Sequence, residues 1–191
     1  SGKRCNSHIM NYFRIQNFLN PRQNQFLFDW CLANFQTFVP STVTTGDEDY
    51  RKSLVTYSCP IHDLVNEKVQ TLLPIVSSAL EVAVNSECWF ESQVTSHGNK
   101  DYFKIHTDNN DPRCSRRILS YVYYLHSLPK GFEDGELALY SDLEKRDRTL
   151  ITPDNNSLVC FASTTWHEVL PVVGSSAFNH GRFTVNGWIN Q

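Results

Sequence analysis

The chain is 191 residues long, 40% hydrophobic, 13% aromatic and 19% charged, with a formal net charge of −3. That length supports one sizeable hydrophobic core, and the aromatic content leans toward β structure. The mild acidity excludes the basic footprint that nucleic acid or an anionic membrane surface would select, so neither is expected as a partner.

Residues 1–9 are polar and precede the single methionine, Met10. They read as a cloning remnant or a disordered lead-in, which leaves 10–191 as one domain. Residues 11–15 resemble a short strand. Asn20-Pro21 then supplies an N-cap and a first-turn proline, and Phe26, Leu27, Trp30, Cys31 and Phe35 follow at helical spacing. Residues 40–53 are polar and turn-rich and read as a mobile loop. Arg51 within it could close over a substrate, or be solvated as most loop charges are. Leu54 to Tyr57 alternates like a strand. From Pro60 onward, Ile61, Leu64, Val65, Val69, Leu72, Leu73, Val76 and Leu80 trace one face of a helix in which Pro74 is expected to place a kink. The most apolar stretch, Leu72 to Val84, is broken by Ser77, Ser78 and Glu81 and is not a membrane span.

From Cys88 the hydrophobic period changes to two. Strand-like runs are expected at 88–95, 102–108, 117–125, 136–140, 148–152, 157–162, 166–172 and 182–190. Turn material such as Asn109-Asn110-Asp111-Pro112, Asp134-Gly135 and Pro153-Asp154-Asn155-Asn156 separates them. This pattern predicts a mainly β chain: a double-stranded β-helix, the cupin-like jelly roll, over 88–191, buttressed by two or three helices in the helical support 20–84. The cysteines (Cys5, Cys31, Cys59, Cys88, Cys114, Cys160) form no CxxC and no pairing pattern, which suits reduced thiols in the cytoplasm.

The chemistry-bearing pattern lies inside those runs. A His and an Asp two positions apart on an extended strand, as in His106-Thr107-Asp108, face the same side. His167, in Trp166-His167-Glu168-Val169, arrives from a distant strand. Two imidazoles and one carboxylate occupy one face of an octahedral metal and leave three adjacent positions open, the ligand set of non-heme Fe(II) oxygenases. Arg182, beyond the second His, offers a charge-assisted and potentially bidentate anchor for a dicarboxylic co-substrate. Glu168 alternates to the opposite face and is expected outside the ligand set. His180 sits in a Gly-flanked turn that favours an exposed side chain over a ligand. Tyr121 and Tyr123 read as packing residues.

Five segments, FKIHTDN, RRILSYVYYLH, FEDGELALY, LVCFASTTWHEVLPV and GRFTVNGWI, resemble the iron(II)- and 2-oxoglutarate-dependent dioxygenases, in their prolyl 4-hydroxylase-like branch. The resemblance covers roughly residues 88–191, and its YYLH and WHEVLPV segments are most similar to oxygen-sensing prolyl hydroxylases and their bacterial relatives. It implies His106, Asp108 and His167 as iron ligands, Arg182 as partner of the distal carboxylate of 2-oxoglutarate, and Tyr124 as a hydroxyl on the same carboxylate. It further implies Trp188 at the pocket floor, where plain core packing is the alternative, and Arg117 near the substrate mouth. This chain departs from the pattern twice. Relatives often place a tyrosine ten residues before the first iron His, where Ser96 stands here, and the interval from His167 to Arg182 is longer than usual, which predicts a bulging loop.

The implied cofactors are Fe(2+), 2-oxoglutarate and O2, with ascorbate as a reductant and succinate and CO2 as products. Halogenating relatives lack the carboxylate at the Asp108 position, so its presence implies hydroxylation. The implied substrate is a prolyl residue in a peptide or protein. A free amino acid or carrier-bound small molecule is the alternative, and a cupin-like binding module that no longer catalyses is the non-enzyme reading.

Overall fold

In the computed structural model, which describes residues 12–42, 49–58, 62–142, 144 and 147–191, the chain opens with strand β1 (Phe13–Gln16) and helix α1 (Pro21–Ala33). Asn20 is extended (φ −67°, ψ 157°); its side chain accepts from the Gln23 backbone N–H and the Gln23 side chain accepts in return from Asn20, a capping box completed by Pro21. Next come β2 (Val39–Pro40), β3 (Arg51–Lys52), β4 (Leu54–Thr56) and α2 (His62–Leu80), with Pro74 inside the helix. The remaining strands are β5 (Trp89–His97), β6 (Tyr102–His106), β7 (Arg117–Leu125), β8 (Phe132–Asp134), β9 (Leu137–Asp142), β10 (Asp147–Ile151), β11 (Ser157–Ala162), β12 (His167–Val169), β13 (Val172–Gly174) and β14 (Arg182–Asn190). The lead-in 1–9, Cys59 and the centre of the 40–53 loop lie outside the described residues.

Antiparallel pairing arranges the strands as a seven-stranded sheet (β1-β11-β7-β14-β5-β4-β2), a five-stranded sheet (β10-β9-β12-β6-β3) and a β13-β8 ribbon. This is the expected mainly β jelly roll, supported by α1 and α2. Among the described residues no helix is long and apolar enough to cross a membrane.

Period-two alternation sorts the larger sheet into two environments. Along β7, Leu119, Tyr121, Tyr123 and Leu125 join the core formed with Leu27 and Phe28 of α1 and Val65, Val69 and Val76 of α2. Tyr124 and Val122 face the other way, against Leu137, Leu139, Ile151, Val159 and Phe161. On β14, Phe183, Val185 and Ile189 belong to the helix-side core, so Arg182, Thr184, Asn186 and Trp188 take the inner face. The helices thus cover one face of the larger sheet, and the inner face, part apolar cluster and part polar, looks across at the smaller one.

Gly187 interrupts the apolar series on β14 for a steric reason. A Cβ there would fall on the ring of Tyr121, which is buried and donates its hydroxyl hydrogen to Asn66 of α2. Overpacking of this kind costs about 1–3 kcal/mol, so Gly187→Ala is expected to lower the melting temperature by roughly 3–10 °C in a thermal unfolding scan.

Four expectations are corrected. The run 102–108 ends as a strand at His106, because the chain turns at Asp108, whose N–H donates to the Ser163 carbonyl at 3.0 Å. The run 166–172 splits into β12 and β13: Leu170 N–H turns to Glu136 O and Val172 N–H to Asp101 O, both at 3.0 Å, and Pro171 between them has no N–H to offer a ladder. Arg51 lies not on a loop but on β3, in register with Phe103 of β6. The interval before Arg182 is anchored rather than bulging free, since its Phe178 packs on Phe38 at 5.1 Å and on Phe183 at 5.0 Å.

Candidate active site

β6 and β12 are neighbours in the smaller sheet, and their register sets His106 across from His167. Asp108 reaches the same point from the turn after β6, where Ser120 Oγ donates to its Oδ2 at 2.6 Å and Ser163 supports Ser120 at 2.9 Å. Asp108 Oδ1 then lies 3.6 Å from His106 Nε2, and Oδ2 lies 3.6 Å from His167 Nε2. One ligand atom from each residue falls within 4.8 Å of the others, close enough to share a single cation.

Each imidazole is aimed by its second nitrogen. His106 Nδ1 is 2.7 Å from Lys104 O, and His167 Nδ1 is 2.9 Å from Thr165 O. A carbonyl only accepts, so Nδ1 donates in both rings and the Nε2 lone pairs face Asp108. Phe103 stacks on His106 at 3.6 Å and Phe161 packs edge-on to His167 at 4.8 Å, which fixes the ring planes. Burial, then the neighbouring His106, push His167 down to about 4, so it is an uncharged lone-pair donor at neutral pH. Burial alone would raise the Asp108 carboxyl, but His167, His106 and the Ser120 hydrogen bond outweigh it and hold that carboxyl well below the usual carboxylate range. Two Nε2 lone pairs and an ionised carboxylate fit a divalent first-row metal.

The triad opens into a cavity between the two sheets, lined also by Arg51, Gln93, His97, Arg182, Asn186 and Trp188. Arg182 is 2% exposed; its Nε donates to Gly135 O at 2.7 Å and its guanidinium lies 5.1 Å from the Tyr124 ring. Buried around it are polar atoms with no hydrogen-bond partner of ordinary geometry: Tyr124 Oη, Thr184 Oγ1 and both ring nitrogens of His97. Thr184 is the register partner of Tyr124, and His97 is that of Arg182. Buried polar groups are normally satisfied. Orphaned donors gathered about one buried guanidinium therefore fit an anionic ligand, and a carboxylate can accept from several of them at once. Burial raises the Tyr124 hydroxyl, which keeps it a donor. Burial, then Arg182 and Arg51, push His97 well below its usual value, so its ring stays neutral between two guanidinium groups.

The other sequence candidates are spread around this centre. Trp188 lines the cavity, whereas Arg117 stands behind it, stacked on the indole at 3.7 Å, paired with Glu91 at 2.9 Å and 3.4 Å from the Asp108 carbonyl. Ser96 lies on the opposite face of β5 from His97, near Gly181, so His97 occupies the inward position beside the expected tyrosine site. Glu168 points away and accepts from Arg148 at 3.1 Å. His180 is half-buried against Gly131, outside the metal-binding cluster. Tyr121 and Tyr123 pack in the helix-side core. Sequence reasoning missed Ser120, His97 and Thr184. Thr184 was readable as the next inward position after Arg182, but His97 and Ser120 depend on strand register and carried no local signal.

The model of the 2OG-Fe(II) oxygenase superfamily matches residues 92–190. An uncharacterised PKHD-type hydroxylase of Synechocystis sp. is 36% identical over 192 residues, covering 94% of this chain and 63% of that relative's length. By fold the chain is similar to a Pseudomonas putida prolyl-4-hydroxylase (TM-score 0.71, 19% identity, 95% of this chain and 93% of that one). It is similar also to a Trichoplax adhaerens prolyl hydroxylase solved with a hypoxia inducible factor peptide fragment (TM-score 0.73, 18% identity, 94% and 83%). The matched span contains all three triad residues and the buried arginine, and on that match the chain belongs to the 2OG-Fe(II) oxygenase superfamily, with a prolyl 4-hydroxylase-like fold.

Proposed function

We propose that this protein hydroxylates an unactivated C–H bond of a prolyl residue in a peptide or protein, consuming O2 and 2-oxoglutarate at Fe(2+) and releasing succinate and CO2. The observation that carries this reading is one cavity holding both a His-Asp-His cluster and a buried arginine ringed by unsatisfied donors. The bound ferrous ion supplies activation of dioxygen coupled to decarboxylation of 2-oxoglutarate. The chain's own residues do the positioning. His106, Asp108 and His167 would hold the ion on one face and leave the rest of its coordination sphere open. Arg182, with the Tyr124 and Thr184 hydroxyls, would grip the distal carboxylate and so direct the keto-acid end toward the ion.

Asp108 in a ligand position supports transfer of hydroxyl rather than halogen. One oxygen atom of O2 enters the product and the other enters succinate, so the reaction balances with no further reactant; ascorbate serves only to keep the iron ferrous. The solved prolyl hydroxylases of like fold support a prolyl substrate. Cys88, Cys114 and Cys160 are free thiols, which supports a reducing, cytoplasmic setting.

Incubation with Fe(2+), 2-oxoglutarate, ascorbate and proline-rich peptides is expected to yield peptides heavier by one oxygen, with one succinate formed per oxygen inserted, read by mass spectrometry. Succinate no higher than in a His106→Ala control sinks the enzyme reading. Oxygen inserted only into free L-proline moves the substrate to the small-molecule class.

A further inference from the structure

One guanidinium in the cavity is left unmatched by that reaction. Arg51 lies on β3, where register with Phe103 fixes it beside the strand of the first metal ligand. Its guanidinium sits over the Phe103 ring at 4.8 Å, and Phe103 in turn stacks on His106 at 3.6 Å. Its Nε donates to Ser53 Oγ at 3.1 Å, and its Nη2 reaches Thr95 Oγ1 on the facing sheet at 3.5 Å. Both acceptors are neutral; among the described residues no carboxylate forms an ion pair with it, and the carboxylate that acts on it through space is Asp108, which belongs to the metal-binding cluster. Two arginines elsewhere in the fold are different: Arg117 has Glu91 at 2.9 Å and Arg148 has Glu168 at 3.1 Å.

A cation withdrawn from water without a counter-charge is costly unless a ligand supplies one. The charges lining the cavity say which ligand. With iron and 2-oxoglutarate in place, the two positive charges of the ion and the one on Arg182 are matched by Asp108 and the two carboxylates of the co-substrate. One carboxylate of the co-substrate is claimed by the metal and the other by Arg182. Among the described residues Arg51 remains as a single uncompensated positive charge, and the neutral Gln93, His97 and Asn186 that share its cavity cannot offset it.

We infer that Arg51 receives a carboxylate of the substrate, so that the group hydroxylated lies next to an anionic centre. The carboxylate belongs either to an acidic residue adjoining the target in a peptide or to the α-carboxyl of a free amino acid. The inference rests on the iron- and 2-oxoglutarate-dependent reading above and narrows its substrate. The planar fork of Arg51, held by Ser53, Thr95 and the Phe103 face, is pre-set for such a group.

The test uses protein loaded with Mn(2+) and 2-oxoglutarate, which binds without turnover, and follows two matched probe pairs by ligand-observed NMR. The pairs are acetyl-Asp-Pro-Asp-amide with acetyl-Asn-Pro-Asn-amide, and L-proline with L-prolinamide. At least one anionic probe is expected to bind roughly tenfold or more tightly than its neutral twin, and the pair that discriminates identifies the source of the carboxylate. Arg51→Gln is expected to weaken that probe about 30- to 100-fold, leave its twin and 2-oxoglutarate within about twofold, and be partly rescued by Arg51→Lys. Equal binding of both twins to the wild-type protein overturns the assignment without any variant. So does absence of binding by every probe, or a loss of 2-oxoglutarate affinity in Arg51→Gln. If the Mn(2+)-loaded wild-type protein fails to bind 2-oxoglutarate at all, the broader enzymatic reading falls instead.

Discussion

His106→Ala is expected to abolish succinate formation and to weaken ferrous binding by at least about 100-fold, the upper range already seen when only the partners of metal ligands are removed. The variant loses one of the two Nε2 donors beside Asp108. It also loses the ring sandwiched between Phe103 at 3.6 Å and His167 at 4.2 Å, so the two surviving ligands are less well oriented. Metal content after anaerobic loading and desalting gives a direct measurement. A second readout needs no turnover: an ion at 100 times its dissociation constant stabilises a folded protein by about 2.7 kcal/mol, so the wild-type melting temperature rises with iron and that of the variant stays flat. Wild-type succinate formation by His106→Ala would mean that the metal sits elsewhere.

Arg182→Ala is expected to raise the 2-oxoglutarate concentration needed for half-maximal turnover by about 100-fold, in line with truncating one partner of a buried charged hydrogen bond. Iron binding should persist, since Arg182 is held by its hydrogen bond to Gly135 O and not by the triad. Arg182→Lys keeps the charge but not the fork, and an intermediate loss of about tenfold is expected. Because the side chain fills space at 2% exposure, a melting curve must accompany the kinetics. Unchanged co-substrate dependence in a folded Arg182→Ala protein would show that the anchor was misassigned, and Arg51 would be the next candidate.

The two variants draw on parts of the site that differed in how plainly the chain announces them. The triad was legible because its chemistry is concentrated: two residues of it lie two positions apart, and the third sits in a short β-prone run. The strand-like run 182–190 likewise carried Arg182 and Trp188 as candidates, whereas Thr184 and Asn186 were recognised on the same face only once Phe183, Val185 and Ile189 were seen in the helix-side core. Asp108 shows the limit of that reasoning. It does face the same point as His106, yet from a turn pinned by the Ser163 carbonyl rather than along a continued strand. The same limit applied to Pro171, which ends β12 and sends Val172 to a separate ribbon with β8.

Alternation of side chains and the identity of metal-ligating groups are local properties, so the amino-acid order alone determined a β-rich roll, its helical support and the composition of the His-Asp-His cluster. Which strands lie side by side is a long-range property, because the register of β14 against β5, or of β3 against β6, depends on pairings between residues dozens of positions apart. Only tertiary structure therefore set His97 beside Arg182, tucked Ser120 under Asp108, and turned Arg51 from a loop charge into a guanidinium that lines the cavity, held by Ser53 and Thr95.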